Sequence, residues 1–214
     1  MAKSLYIVAI LATIAILAVL FFSVSAAENQ KAAQFNDEIR QFALESELQS
    51  SYADFDTNNR AVYCTIINQG IESLSKRSDV LEKQLNSFKD NSVNTQEFYT
   101  VKRNYLITNM ILFRNFLNAK EYCSFNRKSV LFFYAEDRSC DPQCGVTGSQ
   151  LFELRDCNAF RVFNFPYNWP QYEFTKILEV KYDVKTAGTI IIDSNKYESL
   201  LDMNTLTNLL GCGK

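Results

Sequence analysis

The chain has 214 residues, 22 basic against 24 acidic side chains, and no histidine. The missing imidazole excludes Ser-His-Asp and Cys-His catalysis and imidazole metal sites. A net charge of −2 lacks the basic excess that nucleic-acid binding needs against phosphate, so no nucleic-acid partner is expected. With 47 % hydrophobic residues, only 6 glycines and only 3 prolines, the chain can fill a core and has little linker.

Residues 5 to 22, LYIVAILATIAILAVLFF, are apolar apart from Thr13 and the Tyr6 hydroxyl. Roughly 20 such residues span a bilayer as a helix, so 1–27 reads as a single-pass transmembrane anchor. The rival is a cleaved signal peptide, with Val24-Ser25-Ala26 as a small-residue cleavage site. Its apolar region is usually only about 7–15 residues. Lys3 favours a cytoplasmic N-terminus, against Lys31 and Arg40 on the other flank. Either reading puts the bulk of the chain outside the cytoplasm, where the 6 cysteines are expected to form disulfides.

Residues 28–125 read as a helical region. Phe35, Ile39, Phe42, Leu44 and Leu48 recur at helical spacing. Over 59–89, Ile67, Ile71, Leu74, Leu81, Leu85 and Phe88 form a coiled-coil-like seam, with Ser78 in its one polar gap. Asp90-Asn91-Ser92 closes that helix, and Asn94 or Thr95 can cap another running to about Tyr122. So short a connection predicts an antiparallel hairpin. Cys64 and Cys123 lie at similar distances either side of Ser92, so the rise per helical residue brings them to the open end as a disulfide. Lys102, Arg103, Arg114, Lys120, Arg127 and Lys128, scattered among acids and amides, read as a solvated face. The hairpin is expected to act as a spacer, or to mediate a dimer or partner contact.

After Asn126 the period changes. Ser129 to Ala135 is a continuous apolar run fit for a central strand buried on both faces. Cys140-Asp-Pro-Gln-Cys144 follows, and Gln150, Leu151, Phe152 and Leu154 suggest a helix ending near Asp156. Ala159 to Phe165 is a second strand. Pro170 can open a helix with Phe174, Ile177, Leu178 and Tyr182 inward. Thr189 to Ile192 is a third strand, Asp193 to Asn195 a turn and Lys196 to Leu200 a fourth strand. Asp202 or Asn204 caps a last helix that ends at Gly211. The order is β-α-β-α-β-β-α, an α/β layer over 126–214.

This segment resembles the thioredoxin-like fold. Phe133-Tyr134-Ala135 ahead of a cysteine pair, and Tyr182-Asp-Val184 followed by Ala187-Gly-Thr-Ile-Ile-Ile192, match that family's pattern. The resemblance implies thiol-disulfide exchange with a protein thiol or disulfide partner and without a cofactor. Cys140 would be the exposed attacking sulfur and Cys144 the resolving one. Gly188 and Ala187 fall at the substrate-docking position. The fold also suggests a Cys157–Cys212 bridge, although sequence alone does not choose among the pairings of six cysteines. The sequence departs from the family in four places: the cysteines are spaced Cys-x-x-x-Cys, two extra residues separate the strand from Cys140, Gly188 stands where the family has a cis-proline, and Phe132 takes the position of a buried acid.

A helix N-terminus stabilises a thiolate, and Arg138 supports that effect while Asp141 opposes it. The other reading is a redox-inactive scaffold or interaction module in which Cys140–Cys144 is one more structural bridge. Two cysteines without histidine are too few ligands for zinc. Asp137, Asp141 and Asp193, separated by element boundaries, give little support to a hydrolase.

Overall fold

The computed structural model describes residues 59–88, 95–137, 139–169, 172 and 175–213, and all of them belong to one compact unit. The apolar stretch 5–22, the helix expected within 28–50, the turn at Asp90 to Ser92, and Arg138, Pro170 and Phe174 lie outside the described residues. Among the described residues no helix is long and apolar enough to cross a membrane.

Helix α1 (Arg60–Ser87) begins where the Asn59 side chain accepts the Val62 N–H, and α2 (Gln96–Tyr122) where Thr95 accepts that of Phe98. They pack as an antiparallel pair. Cys64 is bridged to Cys123, the Ser78 hydroxyl donates to Asn109 at 2.8 Å, and the Phe88 ring stands edge-on to Phe98 at 5.9 Å. Ser78 is buried with Ile67, Ile71, Leu74 and Leu81, so the polar gap in the seam is filled by a hydrogen bond to the partner helix.

Four strands follow: β1 (Lys128–Tyr134), β2 (Phe160–Pro166), β3 (Ile190–Ile192) and β4 (Asn195–Tyr197). They form one sheet in the order β2-β1-β3-β4. β1 pairs parallel to β2, with Val130 opposite Val162, and antiparallel to β3, with Leu131 opposite Ile191; β3 and β4 are antiparallel. Helices α3 (Gln143–Glu153), α4 (Lys176–Lys181) and α5 (Met203–Leu210) connect and follow these strands. Asp202 caps α5 by accepting from the Thr205 N–H, and Gly211 ends it at φ +76°.

Side chains alternate across the sheet. Val130, Phe132, Phe160, Ile190 and Ile192 pack with Leu151 of α3 and Leu206 and Leu210 of α5. On the other face Phe163 meets the α2 rings Phe113 and Phe116 at 5.3 and 5.2 Å, and Tyr182, capping α4, lies 6.4 Å from Phe113. The hairpin is therefore the third layer over the sheet.

Three sequence expectations are corrected. Lys102 is only 4 % exposed, Lys120 pairs with Asp193, and Arg127 donates to the Phe160 carbonyl at 3.0 Å. Because α2 lies between α1 and the sheet, its solvated stripe is narrow, and of these six residues only Arg103 and Arg114 are exposed. Ile177 is 67 % exposed and Leu178 is the inward residue of α4, which buries a narrower face over its 6 residues. Finally β4 stops at Tyr197: beyond it, the carbonyls of Glu198 and Leu201 accept from the Gln143 and Gln150 amides of α3.

Candidate functional site

β1 ends at Tyr134 and the chain turns through Glu136 and Asp137 to Cys140, which is bridged to Cys144 at the start of α3. Cys144 is the second residue of the helix, and its N–H donates to the Cys140 carbonyl at 2.9 Å. The Val146 N–H donates to the Pro142 carbonyl at 3.0 Å, so main-chain oxygens occupy donors of the first turn. Asp137 accepts from the Ser139 N–H at 3.0 Å; the Ser139 hydroxyl and N–H together hold that carboxyl below its ordinary range.

Cys140 is not the exposed sulfur that the family resemblance implied. It is 8 % exposed, whereas Cys144 is half-buried against the Phe132 and Leu151 core. Gly188 and Gln143 lie close to the Cys140 sulfur. Gly188, at φ +86°, donates its N–H to the Phe133 carbonyl at 2.7 Å. A Cβ there would lie 3.0 Å from Cys140 Sγ and 2.8 Å from Gln143 Nε2. Gln143 Nε2 in turn donates to the Glu198 carbonyl at 3.2 Å. Glycine thus lets the β3 lead-in approach the sulfur, and the glutamine amide spans the gap to the segment after β4. Ala187 sits half-buried beside Gly188.

The two remaining bridges close long loops. Cys64–Cys123 spans a separation of 59 residues and Cys157–Cys212 one of 55, against 4 for Cys140–Cys144. Cys157 and Cys212 pack against the core under α3 and α5. No cysteine is free, and among the described residues no cluster of three His, Cys, Asp or Glu could hold a metal.

Sequence reasoning missed two parts of this neighbourhood. Gln143 lies between the cysteines but carries no chemical signature in the sequence. Lys102 forms an ion pair with Glu136, and its Nζ lies 4.5 Å from the Trp169 ring centroid, 5.4 Å from Phe98 and 5.8 Å from Tyr134. Burial brings its ammonium down to about 8. Its signal was spacing: Lys102 falls four after Phe98 and three before Tyr105, on the helix face that Phe98 and Tyr105 share.

Comparisons with family models, curated proteins and solved structures find no match to this chain.

Proposed function

We propose that residues 126–214 are a thioredoxin-like domain that exchanges disulfides through Cys140 and Cys144, held outside the cytoplasm by the apolar segment at 5–22. The observation that carries this reading is the placement of a four-residue bridge between the end of β1 and the start of α3, against the bare backbone of Gly188. The strand order β2-β1-β3-β4, with a parallel first pair and an antiparallel return, supports the fold assignment. The bridge also closes by far the shortest loop of the three, so opening it releases the least chain.

In the exchange, a partner dithiol's thiolate attacks one sulfur of the bridge. A mixed disulfide forms and the other cysteine leaves as a thiolate. The partner's second thiolate then displaces the first cysteine, so the partner is oxidised and Cys140 and Cys144 become thiols. In reverse, the Cys140 thiolate attacks a partner disulfide and Cys144 resolves the mixed species. Gln143, held to the Glu198 carbonyl, stands beside the sulfur during these steps.

The burial of Cys140 favours the second reading, a scaffold with three structural bridges. Titration against thiol buffers with mass readout of each cysteine separates the two. Exchange requires Cys140–Cys144 to reduce as a pair above roughly −230 mV while the other bridges hold; a structural bridge lies below about −300 mV. C140S should abolish reduction of a protein disulfide without unfolding the chain; a wild-type protein with no such activity defeats the exchange reading.

A further inference from the structure

We infer that Lys102 is a positioning residue: by holding Glu136 against the hairpin, it fixes the loop that delivers Cys140 to Cys144. Lys102 belongs to α2, whose C-terminal end is tied to α1 by the Cys64–Cys123 bridge and whose inner rings pack on β2. Glu136 lies two residues beyond β1 and four before Cys140. The ammonium is enclosed by the Trp169, Phe98 and Tyr134 rings as well as by the carboxylate. A charge so far removed from water is retained only with such partners, and moving Glu136 away would strand it. Past the ion pair, Asp137 accepts from Ser139, so the approach to Cys140 is held at a second point. The hairpin, which the α/β segment does not need to complete its sheet, thereby acquires a role at the cysteine pair.

Two thiols close a bridge at an effective concentration set by how firmly their backbones are held. Releasing Glu136 lowers that concentration and makes Cys140–Cys144 easier to reduce. The biological use of this device rests on the exchange reading above, but its measurement does not. The test uses the full chain in detergent, with K102M, E136Q and the double variant equilibrated in dithiothreitol buffers and each bridge resolved by mass. Each single variant should shift the Cys140–Cys144 equilibrium about tenfold toward the thiols, about 30 mV, and the double variant no further. Cys157–Cys212 should not move.

A Cys140–Cys144 equilibrium within about twofold of wild type in the folded variants overturns the inference, as does an equal shift of both bridges. Should K102M not fold, E136Q carries the test, since the Glu136 side chain is already 20 % exposed. Variants that show the shift beside a wild-type protein that reduces no protein disulfide defeat the exchange reading and leave the positioning role standing.

Discussion

Gly188 is the position where one methyl group should do most damage. At φ +86° an alanine adopts an unfavourable backbone, at about 1–2 kcal/mol, and its Cβ would press on Gln143 and Cys140. Gly145 is the control: it lies inside α3, a Cβ there meets nothing within 4 Å, and G145A should stabilise by about 0.5–1 kcal/mol. Urea denaturation of both variants checks the pair, and similar effects at the two sites would contradict the packing described around Cys140. Gln143 gives a kinetic counterpart. Q143A removes the amide that bridges to Glu198 and should speed reduction of Cys140–Cys144 by dithiothreitol, with the other bridges unaffected. An unchanged rate would mean that the glutamine does not shield the sulfur.

The disulfides make a prediction at the level of elements. Closing a loop removes more freedom from the unfolded chain as the loop grows. By the chain-entropy relation, losing Cys64–Cys123 costs about 4 kcal/mol and losing Cys140–Cys144 about 2. Urea midpoints of C64S/C123S and C140S/C144S should fall in that order; equal losses would show that the short bridge acts through native contacts instead. The pairing at the open end of the hairpin was legible because helical rise converts residue count into distance, and counting from Ser92 leads to the pair found. Strand β1 was legible for a similar reason: seven residues without helical spacing, buried throughout the middle, match the run from Ser129 to Ala135 within a residue. Ile177 was misplaced because a helix of 6 residues has too few turns for periodicity to fix its inward face. The surroundings of Cys140 were illegible because they are tertiary: Gly188, Gln143 and Glu198 meet only when the β3 lead-in and the segment after β4 come up to α3.

For the whole molecule, the charges that tie the hairpin to the sheet set how stability varies with pH. Burial pushes the Asp193 carboxyl up, but the Lys120 ammonium and the Ser129 N–H outweigh it and hold the group below its ordinary 3.8. A depressed carboxyl contributes stability that is present above its unfolded value and lost as pH falls through the folded one, so the share Asp193 contributes should be lost on the acid limb. D193N, which keeps an acceptor for Ser129 but loses the charge, should flatten that limb.

At the alkaline end burial raises Tyr134, and burial with the neighbouring Tyr99 raises Tyr172 to about 12. Raised phenols contribute stability below their unfolded value of about 10 that is lost as pH rises through the folded one. Lys102 has the opposite sign. Burial lowers its folded value from 10.5 to about 8, so between these the unfolded chain holds the extra proton and stability rises with pH. The stability curve should therefore climb by about 1–3 kcal/mol between pH 8 and 10 before the tyrosines turn it down. Urea midpoints of the oxidised protein across pH 3 to 11 measure the curve, and K102M should lose the climb while keeping both limits. A climb that survives in K102M would assign it to another group and would separate the packing of Lys102 from its charge.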